Sequence, residues 1–175
     1  MSLRNSAYEY GHLAKIFHWL IFILLAFMIV YGYFLDDIPK PYQPAAYNIH
    51  KLTGLLILVL MLLRGSWALI NIKPTLPANH RWENLTERTV HGLLYIVVIA
   101  MPLAGWIGST AAGHPPRLGS FNMLLPIVQN KAVANVAFTL HGYLAIAIIV
   151  LVSIHVLAAL FHHCVRKDNV LRRMI

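Results

Sequence analysis

Four histidines lie inside long apolar stretches of this chain: His18, His50, His141 and His155. Imidazole is costly in hydrocarbon unless it has a partner or a job, so each one marks a candidate functional site. His141 and His155 share one stretch and stand fourteen residues apart. On a helix that spacing leaves them about 40° apart in projection and ~21 Å apart along the axis. One helix thus offers a nitrogen ligand near each side of a bilayer, on nearly the same face. Two imidazoles drawn from different helices at one depth can fill both axial positions of a haem iron. Such a six-coordinate, low-spin haem b carries electrons without offering an open position to oxygen. No Cys-x-x-Cys-His run is present, so covalent c-type attachment is not expected, and the single Cys164 excludes an intrachain disulfide or a multi-cysteine metal cluster.

The elements that must carry these side chains follow from hydropathy. The chain has 175 residues, 59% apolar and only 11% charged, where a soluble domain carries about a quarter charged residues. The expected fold is all-α, a single integral membrane four-helix bundle over residues 1–175 with two b haems between the helices. Four segments are long enough to cross ~30 Å of hydrocarbon: about 14–35, 47–72, 88–110 and 134–165. Pro39, Pro41 and Pro44 punctuate the first loop, Pro74 and Pro77 the second, and Gly113, Pro115, Pro116 and Gly119 the third. The LLPIV stretch of the third loop is too short to span and is expected on the surface or dipping into the interface. No internal repeat or low-complexity segment is present, and no cleavable signal peptide is expected, because the apolar run after Lys15 is too long.

The formal charge of +8 does not point to nucleic acid, since no continuous basic face accompanies it; lipid headgroups account for it better. Ten lysines and arginines gather on one side (Arg4, Lys15, Arg64, Lys73, Arg81, Arg88, Arg166, Lys167, Arg172, Arg173) and four on the other (Lys40, Lys51, Arg117, Lys131). That bias predicts a multi-pass protein of a bacterial inner membrane with both termini and the second loop in the cytoplasm. Trp19, Trp67, Trp82 and Trp106 fall near span ends, where indole favours the headgroup region.

Orientation assigns depth. His50 and His141 enter their spans from the outside and form an outer layer. His18 and His155 lie toward the cytoplasm and form an inner one, although His91, one turn into the third span, lies at the same depth and stays open as the partner of His155. Gly54, one turn beyond His50, and Gly142, beside His141, leave room where a porphyrin would meet a helix. Arg64 stands ~21 Å along its span from His50, near the inner layer, and can pair with haem propionates. His162, seven residues beyond His155, points to nearly the same face. His12, His80 and His114 are expected to be solvated.

These residues resemble those of the bacterial cytochrome b561 family, of the small four-helix, dihaem kind. The likeness rests on FHWL around His18, NIHKLTGLLILVLMLLR from Asn48 to Arg64, LHGYLA around His141, and the ending H-x6-HH-x3-KDN-x-L-x-RM from His155 to Met174. It implies that His18 and His155 ligate the inner haem and His50 and His141 the outer one, leaving His91 a polar contact to a propionate or a quinone. It further implies electron transfer between a periplasmic donor and ubiquinone, with superoxide as the donor in at least one branch. The quinone pocket would lie at the cytoplasmic end by His162, Lys167 and Asp168, with His162 bonding a quinone carbonyl and relaying a proton. The expected partners are membrane lipid, ubiquinone and a small-molecule or protein electron donor. Two other functions compete: a cytochrome b subunit anchoring a hydrogenase or another dehydrogenase, and a non-haem membrane scaffold or transporter. The third loop and the N-terminus depart from the superoxide-oxidising pattern, so the donor is the least determined part.

Overall fold

A computed structural model describes residues 2–74 and 81–175. Four long helices dominate it: α1 (His12–Tyr33), α2 (Gln43–Ile70), α3 (Arg81–Ala111) and α4 (Lys131–Phe161). All four are long and apolar enough to cross a membrane. Their outward faces carry large apolar side chains, such as Ile23, Phe27, Leu56, Ile96 and Ile146, as a lipid-facing surface requires.

The helix ends follow local chemistry. Pro44 sits at the start of α2, where its missing N–H costs nothing. Asn130 caps α4 by accepting from the N–H groups of Ala132 and Val133, satisfying donors a helix start leaves free. The third helix is already formed at Arg81, earlier than the expected 88, because WENLTER continues the helix as about two polar turns outside the apolar segment. His80 and Pro77 lie outside the described residues. His12 opens α1 and is half-buried, not solvated as expected, while His114 is exposed.

Both termini gather at one end of the bundle, where Lys15 Nζ donates to the Ile175 carbonyl and Asn5 Nδ2 to that of Ile72. This is the end at which the excess of arginine and lysine collects, and it is called the basic end below. At the opposite, hairpin end, the third loop folds into two short antiparallel strands, β1 (Arg117–Leu118) and β2 (Phe121–Asn122). The loop is fastened to the bundle. Asn48 Nδ2 donates to the Arg117 carbonyl at 2.9 Å and Asn48 Oδ1 accepts from the Arg117 N–H at 2.8 Å. Lys51 Nζ donates to the His114 carbonyl, and Trp106 Nε1 to that of Met123.

Packing is uneven, and this positions the site. The tightest interface is α3 on α4, while α2 packs on both α1 and α3. Against α1 and α2 the backbone of α4 stands off, and toward the hairpin end this leaves a cavity. An apolar plug fills the middle of the bundle, built from Ile21, Leu25, Met28, Ile57, Met61, Val97, Val98 and Ile148. Ile148 is fully buried at 0% exposure and lies seven residues from both His141 and His155, so it separates the two levels.

Candidate functional site

The histidines pair along α4. Toward the basic end, His18 on α1 faces His155 on α4, with ring centroids 6.1 Å apart and planes at 63°. Toward the hairpin end, His50 on α2 faces His141 on α4, again at 6.1 Å, with planes at 67°. A metal–imidazole bond runs about 2.0–2.1 Å and the ring centre lies about 1 Å behind the nitrogen, so two rings flanking one metal have centroids about 6 Å apart. Both pairs have that separation. Among the described residues no group of three or more His, Cys, Asp or Glu converges as a bare-ion site. A donor set that comes in twos suits an iron whose other ligands arrive with a planar macrocycle.

His91 stands differently. Its ring centroid is 5.1 Å from that of His155, about 1 Å short of what a shared metal needs. It also projects from α3, whose tight packing on α4 leaves no gap of the kind that separates α1 from α4. Its Nδ1 lies 3.7 Å from Glu87 Oε1, one turn back. The Arg64 guanidinium rests over the Tyr95 ring at 5.5 Å and lies close enough to act electrostatically on His18, His91 and His155. Arg64 therefore sits on the same side of the apolar plug as His18 and His155.

The hairpin-end pair opens into a cavity of about 1360 Å³, larger than the roughly 300–1,000 Å³ of ordinary ligand pockets. Gly54 and Gly142 line it. A Cβ on Gly54 would meet only Pro102 at 3.9 Å, and one on Gly142 nothing within 4 Å, so both provide room and not close packing. Two glycines that sequence reasoning missed touch the rings themselves. A Cβ on Gly32 would lie 3.0 Å from His50 Cε1, and one on Gly105 would lie 3.1 Å from His141 Cε1 and Nδ1. Nothing in the order of residues marks them, because each is opposite a histidine from another helix. Lys40, Lys51, Arg117 and Asp36 stand at the mouth of this cavity.

The ring nitrogens are held unequally. His141 Nδ1 bonds the Met101 carbonyl at 2.9 Å, which orients the ring and leaves Nε2 for a metal. His18 Nδ1 and His50 Nδ1 are buried without a hydrogen-bond partner, a costly state for a ring nitrogen away from a ligand.

At the basic end α4 widens into a π-turn over His162–Arg166, closed by Lys167 in the left-handed region at φ 56°. Such a widened turn shifts the helical phase and recurs at functional positions. It brings His162 Nδ1 to 2.5 Å from Asp168 Oδ2. Burial opposes the Asp168 charge, but hydrogen bonds from His162 and the Val170 N–H outweigh it and hold the carboxyl below its usual range. Lys167 is exposed and joins the turn through its backbone N–H to the His162 carbonyl. Arg166 pairs with Glu83 at 2.6 Å, tying the turn to the start of α3. The tail then crosses α1, where Trp19 Nε1 donates to the Met174 carbonyl at 2.6 Å.

Residues 9–175 match the family model described as prokaryotic cytochrome b561. Cytochrome b561 homolog 2 of Escherichia coli K12 is 32% identical over 179 residues, covering 100% of this chain and 95% of that protein. A probable superoxide oxidase, CybB, of Yersinia pestis is 32% identical over 90% of both chains. Cytochrome b562 of Cereibacter sphaeroides is 28% identical, covering 95% of this chain and 94% of its own.

Proposed function

This chain belongs to the prokaryotic cytochrome b561 family, b-haem-binding electron-transfer proteins of the bacterial inner membrane, and from that premise we propose that it carries two haems b and passes electrons from a periplasmic one-electron donor to ubiquinone. His18 and His155 hold the inner haem, and His50 and His141 the outer one. The observation that carries this reading is the equal 6.1 Å separation of two histidine pairs that each draw one ring from α4. When bound, each haem would supply a reversible one-electron iron couple, held by the two histidines of its level.

The protein's own residues do the rest. The imidazoles fix each group at its depth and deny small ligands an open position. Arg64 neutralises propionate charge at the inner level, with His91 as a polar neighbour. The plug around Ile148 keeps water out of the path between levels. With both termini cytoplasmic, the cationic mouth formed by Lys40, Lys51 and Arg117 faces the periplasm and attracts an anionic donor. Superoxide is the best candidate: two superoxide anions give two molecules of oxygen and two electrons, and with two protons these convert ubiquinone to ubiquinol. At the cytoplasmic end His162, oriented by Asp168, presents its other ring nitrogen to a quinone carbonyl and hands on a proton.

A pyridine haemochrome assay of the purified chain tests the first part; two haems b per chain is the expected result, and one or none would sink it. Ubiquinol formation in proteoliposomes fed with superoxide tests the second. Holoprotein that reduces no quinone with superoxide, yet copurifies with a peripheral dehydrogenase, would instead make it that enzyme's membrane anchor.

A further inference from the structure

His50 and His141 face one another, but their rings are held by different means. His141 has a hydrogen bond from Nδ1 to the Met101 carbonyl; His50 Nδ1 is buried with none. A ring ligand without that bond needs something else to set its plane. The neighbouring helix provides it. Tyr31 on α1 lies nearly parallel to His50, with centroids 6.3 Å apart and planes at 22°, within the range of offset ring pairs. Phe27, one turn back on α1, stacks on Tyr31 in turn at 5.2 Å and 16°, which restrains the tyrosine ring.

Two more contacts frame this stack. The Tyr31 hydroxyl donates to the Ala46 carbonyl at 3.2 Å, and Ala46 lies one turn below His50 on α2. The next residue on α1, Gly32, has no Cβ, which lets His50 Cε1 come close to the backbone. The stacking ring and the close backbone approach thus come from consecutive residues of α1, Tyr31 and Gly32. Among the described residues no other of the four paired histidines has a parallel aromatic neighbour; His18 meets Trp19 edge-on at 82°.

Resting on the two-haem reading above, we propose that Tyr31 is the positioning residue for the outer ligand His50. Its stack restrains rotation of the His50 ring, whose plane stands at 67° to that of His141, and so bears on the electronic character of the outer haem. The inner pair, at 63°, has no such restraint among the described residues. In low-spin ferric haem, steeply crossed imidazole planes keep two iron d orbitals nearly equal in energy and raise the largest g value. Aligned planes separate those orbitals and lower it. The plane angle is therefore readable without any activity measurement.

The test is low-temperature electron paramagnetic resonance of the oxidised holoprotein, with haem content determined on each sample. Tyr31→Phe keeps the ring and is expected to leave the outer signal in place. Tyr31→Leu removes the stack and is expected to lower and broaden the largest g value of the outer haem, leaving the inner signal unmoved. Tyr31→Met serves the same purpose if the leucine variant fails to accumulate. A leucine or methionine spectrum that superimposes on the wild type overturns the proposal, as does an equal shift in the phenylalanine variant or in the inner signal. Failure of the underlying reading is recognised separately: His50→Ala would then leave the haem content of the protein unchanged.

Discussion

The two histidine levels have the same spacing but opposite surroundings. At the inner level a second imidazole, His91, crowds His155 at 5.1 Å, and Arg64 and Glu87 stand close by. At the outer level no third imidazole among the described residues is in ring contact with the pair, although His114 lines the same cavity of about 1360 Å³, and the rings rest against glycine, tyrosine and a backbone carbonyl. The nearest imidazole to His155 is thus not the one with room for a metal between. Proximity is the wrong criterion for a shared iron; a gap of the right width is the right one. That gap exists where α4 stands off α1 and α2, and it is closed where α4 packs on α3.

At the inner level His18 and His91 are expected to differ most in haem content. His18→Ala should lose one of the two haems, and His91→Ala should keep both. A pyridine haemochrome assay distinguishes them, and loss of haem from the His91 variant alone would exchange their roles. A smaller effect sharpens the outer level. Gly105→Ala drives a methyl to 3.1 Å from the His141 ring, an overpacking of roughly 1–3 kcal/mol that should weaken outer haem retention about tenfold or more. Gly54→Ala meets only Pro102 at 3.9 Å, so any loss it causes reports contact with the haem itself. Haem retention during dilution into detergent compares the two variants.

The smallest effect lies beyond the inner level, at the His162–Asp168 contact. Asp168→Asn should keep both haems and raise the KM for ubiquinone about five-fold, the worth of one net hydrogen bond of ~1 kcal/mol. The sign of the pH dependence follows from the lowered Asp168 pKa. Its contribution is complete above the ordinary carboxylate range and is lost as pH falls through the depressed value. Steady-state quinone reduction between neutral and acid pH reads this, and an unchanged KM in the asparagine variant would separate Asp168 from the quinone site.

Much of this protein was legible along the chain. Hydropathy located four spans, the lysine and arginine bias grouped their ends, and depth sorted the histidines into two levels, because each of these depends only on position along one helix. His162 was visible as a residue near the face of His155, but its bond to Asp168 was not, since a π-turn and a left-handed Lys167 had to bring the tail back. The expected solvation of His12 failed for a similar reason: the N-terminal segment folds over the start of α1, where the His12 N–H reaches the Ser2 carbonyl.

By itself, then, the sequence determined a membrane four-helix protein with imidazoles at two depths and a basic end. Depth alone left His18 and His91 open, and only the family resemblance favoured His18; neither showed that Gly32, Gly105, Tyr31 and the Met101 carbonyl meet the outer rings. Those contacts belong to the tertiary structure, because they depend on how each helix is rotated and which neighbour it packs against. Depth is fixed by the solvent that each helix crosses; lateral partners are fixed only when the helices close on one another.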